Sequence, residues 1–360
     1  MKIGGKSYRT LWPTPQGDAI EVIDQTLLPH RFATRRLADL DSTIRAIKTM
    51  VVRGAPLIGA TAAYGFAMAL RADPSDAALG DAFERLLASR PTAVNLRFAL
   101  EATRDLVAPL PPSQRAAAAW RQAEALADED VDLCKRIGEA GFERIEAAYR
   151  RTGRTVNVLT HCNAGWLATI DWGTATAPIY LAHDRGVPVH VWVDETRPRN
   201  QGAALTAFEL GEHGVPHTLI ADNAGGHLMQ HGRVDLCIVG ADRVTARGDA
   251  ANKIGTYLKA LAARANGVPF YVAAPYTTID WRIDDGVRDI EIEERDGAEV
   301  THIQGRLSNG ELALVEIGPS GVTAANPAFD VTPAELIDGL FTDRGFCKAD
   351  KASMAALFGR

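Results

Sequence analysis

Val156-Asn157-Val158-Leu159-Thr160-His161-Cys162-Asn163-Ala164-Gly165 decides the fold. Residues 156–160 form a short apolar run that reads as a buried strand, and Asn163-Ala164-Gly165 cannot easily continue it. A thiol therefore stands where a strand stops and a loop of small residues begins. In an open α/β sheet, ligands bind at the carboxyl ends of the strands.

Working outward from this stretch, short β-branched runs recur at 155–160, 187–193, 217–221, 234–239 and 269–273. Segments of helical length separate them. That rhythm predicts a parallel sheet covered on both faces. Upstream, residues 41–150 are rich in Ala and Leu at helical spacing. Asp41 or Ser42 can cap a first helix, and Pro56 suits the first turn of a second. Further helices are expected at about 76–89, 92–108, 113–127 and 130–150. Residues 1–40 read as a short β entry around Ile20-Glu21-Val22-Ile23. The expected fold is thus α/β, with an N-terminal mainly helical domain (1–150) and a C-terminal Rossmann-like parallel-sheet domain (151–360). A β-rich insertion is expected over 286–317, turning at Ser308-Asn309-Gly310. Thr332-Pro333-Ala334-Glu335 has the form of a capping box that opens a last helix.

Composition narrows the functional classes. Of 360 residues, 46% are hydrophobic and 23% charged, with a formal net charge of −6. This suits a globular protein and argues against an extended nucleic-acid surface. The cysteines at 134, 162, 237 and 347 form no CxxC pair, so neither a disulfide framework nor a zinc cluster is expected. A reducing cytoplasm fits. The N-terminal MKIGGKSYRT lacks the apolar core of a signal peptide, and no long apolar run suggests a membrane span.

The second motif is Gly240-Ala241-Asp242-Arg243, which puts a carboxylate at another strand end. The loop runs on to Asn252-Lys253-Ile254-Gly255-Thr256-Tyr257, read as a helix start able to greet an anion. The plainer reading is that Asp242 caps or pairs with Arg243 on a solvated loop. Asp194-Glu195-Thr196-Arg197-Pro198-Arg199-Asn200-Gln201-Gly202 and Ala221-Asp222-Asn223 are two further polar strand ends. Arg53-Gly54-Ala55-Pro56 and Arg90-Pro91-Thr92 each join an arginine to a helix start, as a phosphate site would; each is equally a helix–helix turn when taken alone. His227 and His231 share a helix face but lack a third ligand, so no metal is assigned. His161 neighbours Cys162, yet adjacent strand residues point to opposite faces. GxGxxG after a strand, GxxxxGK[ST] and GxSxG are all missing.

Taken together, VVRGAPLIGATAAYG (51–65), RPTAVNL (90–96), THCNAGWLAT (160–169), ETRPRNQG (195–202), GADR (240–243), GDAANKIGTY (248–257) and NPAFDVTP (326–333) resemble the methylthioribose-1-phosphate isomerase family. That family is related to regulatory subunits of the translation-initiation exchange factor. The resemblance implies an enzyme of methionine salvage, an aldose–ketose isomerase acting on a sugar 1-phosphate, active as a homodimer without metal or cofactor. It implies Cys162 and Asp242 as the catalytic pair. It also implies Arg53, Gly54, Ala55, Arg90, Gln201, Asn252 and Lys253 as substrate-binding residues.

The chemistry expected of such a substrate is constrained. A phosphate on C1 locks the sugar ring, so ring opening needs a proton on the ring oxygen. Asp242 can give it if an apolar site raises its pKa. Hydrogen then moves from C2 to C1, either as a proton taken by Cys162 or as a hydride in a dry pocket shaped by Cys162. Trp166 and Trp172 are candidates to line an apolar pocket for the methylthio end. Two other readings stand beside this one: an isomerase of 5-deoxyribose 1-phosphate or ribose 1,5-bisphosphate, and a non-catalytic regulatory subunit.

Overall fold

The computed structural model describes residues 1–90 and 93–360. Its centre is a seven-stranded sheet: β1 (Val156–Thr160), β2 (Val189–Asp194), β3 (His217–Ile220), β4 (Leu236–Val239), β5 (Phe270–Ala273), β6 (Gly339–Thr342) and β7 (Gly345–Cys347). The spatial order is β7-β6-β5-β4-β1-β2-β3. Every neighbouring pair is parallel except β6 with β7. β1 to β5 coincide with the five β-branched runs. The Val, Ile and Leu side chains of β1, β2, β4 and β5 are buried, as a sheet covered on both faces requires, while the edge strand β3 leaves Leu219 exposed.

The chain winds from β1 outward through β2 and β3, then restarts at β4 on the other side of β1. β1 and β4 pair directly, Val158 opposite Leu236 and Leu159 opposite Cys237. The order of strands reverses between them, and such a reversal opens a crevice beyond the strand ends.

Ahead of the sheet, Leu11–Pro13, Ile20–Ile23 and Thr34–Leu37 form a small antiparallel sheet. Five helices follow: α1 (Leu40–Lys48), α2 (Ala55–Ala72), α3 (Asp76–Leu87), α4 (Val94–Val107) and α5 (Pro112–Thr152). α1 is capped by Asp39 in a reciprocal box with Ser42, not by Asp41 or Ser42 as expected. α2 is apolar all round and buried over most of its length, so it forms the middle of this half. Pro91 and Thr92, which belong to one of the expected phosphate motifs and to the expected start of α4, lie outside the described residues.

α5 corrects the expectation of two helices. It runs unbroken for 41 residues, about 60 Å at helical rise. The expected boundary falls at Asp128-Glu129, in an acidic stretch that includes Asp130, and Asp favours caps over helix interiors. Here these side chains reach sideways instead. Asp128 pairs with Arg9 at 2.6 Å, and buried Asp130 accepts the Ile170 N–H at 2.7 Å. The first part of α5 packs with α2, while Ile137, Phe142 and Ile145 join Val158, Tyr180 and Phe341 in the core under the sheet.

Two more expectations change. The insertion over 286–317 is less β-rich than expected: two short helical turns, Gly286–Asp289 and Ala298–Thr301, precede one hairpin, His302–Arg306 with Leu312–Glu316. Thr332-Pro333-Ala334-Glu335 opens a single 3-10 turn, Ala334–Leu336, and no α-helix. Thr332 ends a strand, and the Ala334 N–H is taken by Asp249 at 2.9 Å. The chain then supplies β6 and β7 before its last helix, Lys351–Phe358, capped by Asp350. No helix among the described residues is long and apolar enough to cross a membrane.

Candidate active site

Cys162 follows β1 and Asp242 follows β4, so the thiol and the acid stand on the two sides of the reversal. Both line one cavity. Arg53, Gly54, Ala55, Arg90, Gln201, Asn252 and Lys253 line it too. The nine residues that the resemblance implies for catalysis and substrate binding thus line one cavity. The helical half supplies the first four of these seven and the sheet loops the rest.

The thiol is held from several directions. Cys162 is buried in the left-handed region, at φ 68°. Its N–H donates to the Thr196 hydroxyl at 2.8 Å, and its carbonyl accepts from the Thr206 hydroxyl at 2.7 Å. The Cys162 Sγ–H donates to Oε1 of Gln201 at 3.1 Å. Gln201 is placed by the turn into Gly202–Thr206, an i→i+5 helical segment of a type frequent at functional sites. Burial raises the Cys162 pKa, and the nearby charges of Arg53 and Lys253 oppose that rise.

Asp242 emerges from β4 with its N–H bonded to the carbonyl of Ala251 at 2.9 Å. Arg243 turns toward Asp280, at 3.9 Å, so the simple pairing of Asp242 with its neighbour is not what forms. Burial raises the Asp242 pKa, against the pull of Lys253, Arg90 and Arg53. The cations pay for the same enclosure: burial lowers the pKa of both Arg53 and Lys253. Arg90 reaches Glu293 at 3.3 Å, and Lys253 Nζ sits 4.5 Å from the centre of the Phe329 ring. Enclosed positive charge of this kind favours an anion. α2 begins at this wall, with Gly54 at φ 97° and its backbone pressed against Ala168.

Asn252 and Lys253 do not open a helix as expected. They end the strand Ala250–Lys253, which pairs with Arg243–Thr245 and Phe329–Thr332. The helix that follows, Thr256–Ala265, is not free to greet an anion, because Asp330 accepts from the N–H groups of Gly255 at 2.7 Å and Tyr257 at 3.1 Å. Trp166 and Trp172 also miss the cavity. Trp166 is fully buried in the core below it, and the apolar lining comes from Met50, Ala55, Pro56, Ala164, Ala168, Pro275 and Phe329.

The other two polar strand ends brace the loops. Asp222 accepts the N–H groups of Thr196 and Arg197, each at 2.7 Å, and Thr196 in turn holds Cys162. His161 turns away from the thiol to Asp194 and the Ile254 carbonyl, each at 2.8 Å. His161, Asp194 and Asp222 bring a ring nitrogen and two carboxylates close together, as a metal site would. Lys259 already places its ammonium 3.2 Å from Asp194, filling the role a cation would have. His227 and His231 stack on each other, ring centres 4.2 Å apart.

Sequence reasoning passed over Asn163, Thr196, Thr206 and Glu209. Asn163 takes both ends of the Arg53 fork, one on Oδ1 and one on its carbonyl at 2.7 Å. Glu209 is completely buried beneath it. The signal that could have found Glu209 is a lone acid on the helix face that Leu205 and Thr206 bury.

A parallel sheet whose strand order reverses beneath an enclosed, cation-lined cavity, with a thiol and a shielded acid facing in, defines an α/β protein built to act on a small anion. The known proteins it resembles narrow this class. Residues 51–349 match the initiation factor 2 subunit family. The chain is 63% identical to methylthioribose-1-phosphate isomerase of Methylobacterium nodulans, over 99% of this chain and 98% of that one. It is 60% identical to the enzyme of that name from Rhodospirillum rubrum, over 99% and 93%. Among solved structures, 5-methylthioribose 1-phosphate isomerase from Pyrococcus horikoshii OT3 superposes with a TM-score of 0.84 at 40% identity, covering 98% of this chain and 96% of that one. The eIF-2B delta subunit from A. fulgidus gives 0.80 at 36% identity, covering 98% and 100%. The chain belongs to the initiation factor 2 subunit family and, within it, to the methylthioribose-1-phosphate isomerases.

Proposed function

We propose that this chain converts 5-methylthioribose 1-phosphate to 5-methylthioribulose 1-phosphate, a step of methionine salvage, with Cys162 and Asp242 as its catalytic residues. The observation that carries the reading is their shared cavity with Arg53, Arg90 and Lys253. The cations and the first turn of α2 hold the phosphate. Asp242, its pKa raised by burial, keeps a proton for the ring oxygen. As that proton arrives, the C1–O bond of the ring breaks and C1 becomes electron-poor. The electron pair of the C2–H bond moves to C1 with its hydrogen. The C2 hydroxyl gives up its proton to the Asp242 carboxylate, leaving a ketone at C2 and the acid restored. The Cys162 thiol, donating to Gln201, supports this hydride route over proton abstraction, because a neutral buried thiol is a poor base.

The neutral lining from Met50, Ala168 and Phe329 suits a methylthio group better than a second phosphate. On our reading the chain divides into two domains at about residue 150, with the cavity between a cation-bearing helical half and a thiol- and acid-bearing sheet half. The exposed apolar side chains of Leu312, Leu314, Val315 and Ile317 on the lone hairpin support a homodimer. Four unpaired, buried cysteines fit a reducing cytoplasm.

Turnover of 5-methylthioribose 1-phosphate by the purified protein tests the assignment. Cys162→Ser and Asp242→Asn are each expected to abolish isomerisation while far-UV circular dichroism stays unchanged. Near-normal turnover in either variant sinks that residue's role.

A further inference from the structure

One buried carboxylate has no part in the chemistry above. Glu209, on the helix Ala207–His213, is fully buried. Its Oε1 accepts from Nδ2 of Asn163, which also donates, over a longer 3.2 Å, to the Thr206 hydroxyl. Its Oε2 accepts from the N–H of Trp166 at 2.7 Å and from the hydroxyl of Tyr180 at 3.1 Å. The loop after Cys162 is shaped around it, since a Cβ on Gly165 would stand 2.1 Å from Oε1. On the far side of Asn163, both terminal nitrogens of Arg53 donate to it. The chain Glu209–Asn163–Arg53 is therefore continuous from the core to the cavity wall.

This chain has a direction. Above about pH 7, where Glu209 is ionised, its carboxylate only accepts hydrogen bonds, so it draws the amide nitrogen of Asn163 to itself and turns Oδ1 toward the guanidinium. With the amide reversed, its N–H groups would face those of Arg53, and the fork would lose an acceptor. Asn163 can serve Arg53 only while something behind it accepts.

We propose that Glu209 is a positioning residue for the anion site, fixing the amide of Asn163 and so aiming the Arg53 guanidinium at the substrate phosphate. This rests on reading the cavity as a sugar-phosphate site. Glu209 touches no substrate atom and moves no proton in the reaction. Its effect passes entirely through Asn163, and that makes it separable from simple packing.

Glu209→Gln keeps the shape and replaces one oxygen by an N–H donor. That donor must face either Asn163 or the Trp166 N–H, and in both cases donor meets donor. The expected result is weaker binding of inorganic phosphate by about tenfold in calorimetric titration, the effect of one charge-assisted hydrogen bond. KM for 5-methylthioribose 1-phosphate should rise by a similar factor, with kcat less affected. Asn163→Ala should weaken phosphate binding equally, and adding Glu209→Gln to it should change nothing further. Tyr180→Phe, which removes another of the donors to Glu209 and leaves Asn163 in place, should keep wild-type phosphate affinity. Unchanged phosphate binding in Glu209→Gln or Asn163→Ala overturns the proposal. So do additive losses in the double variant, or an equal loss in Tyr180→Phe. Should Glu209→Gln fail to fold, unchanged phosphate binding in Asn163→Ala still overturns the proposal. A wild-type protein that binds phosphate without isomerising the sugar would remove the proposed function and leave the role of Glu209 to the titration.

Discussion

The Cys162 thiol donates to Oε1 of Gln201 across 3.1 Å, and the same buried backbone holds it beside the Arg53 clamp. A sulfur that donates carries its proton. The neighbouring cations favour thiolate, yet burial outweighs them and the pKa rises. The group is therefore suited to excluding water from the reacting carbons rather than to taking a proton from C2.

From this follows the fate of an isotope. Substrate carrying deuterium at C2 is expected to give product with the label retained at C1 after turnover in ordinary water, because an internal hydride never meets solvent. Proton NMR of the product measures it. Complete loss of the label to solvent would restore Cys162 as an exchanging base.

Gly54 opens α2 at φ 97°, where a Cβ would stand 2.4 Å from the Ala168 carbonyl oxygen. Gly153 closes α5 at φ 65° with nothing within 4 Å of that position. Gly153→Ala is expected to cost about 1 kcal/mol, the strain of a left-handed alanine alone. Gly54→Ala adds a clash with rigid backbone and should cost about 3 kcal/mol or more. It should also raise KM, because the wall carrying Arg53 must shift. Chemical denaturation and steady-state kinetics on the two variants compare these costs, and equal losses would show that Ala168 yields freely.

Much of this arrangement was legible in the chain. Strands β1, β2, β4 and β5 announced themselves because parallel, doubly covered strands read as apolar runs, and the edge strand β3 showed in Thr218 and Ile220. The loops after them carry Cys162 and Asp242, which line the cavity. The long helix did not announce itself, since Asp128-Glu129-Asp130 resembles a helix boundary until Arg9 and Ile170, distant in sequence, supply their partners. The Thr332 capping box misled for the same reason, its backbone donor being taken by Asp249. Asn163 and Glu209 were harder to read because their contact is buried and joins residues 46 apart, and a lone acid on a buried helix face was the one local hint of Glu209.

Asp130 offers the last test, on stability rather than rate. Burial pushes its carboxyl up to about 7, and only the Ile170 N–H bond opposes that rise. In the unfolded chain it returns to its ordinary value near 3.8. Between these two values the folded state holds a proton that the unfolded state has released. Stability therefore falls as pH rises through this window and levels off above about 7. Asn at this position can accept the same N–H through its amide oxygen and carries no charge to bury. Asp130→Asn is expected to flatten the pH dependence between about 4 and 7 and to gain roughly 2–4 kcal/mol at pH 8, by linkage. Glu209, also raised to about 7, keeps its own share of the slope in both proteins. Urea denaturation at pH 5 and pH 8 reads the difference. Equal pH slopes in the two proteins would mean that Asp130 stays ionised in the fold.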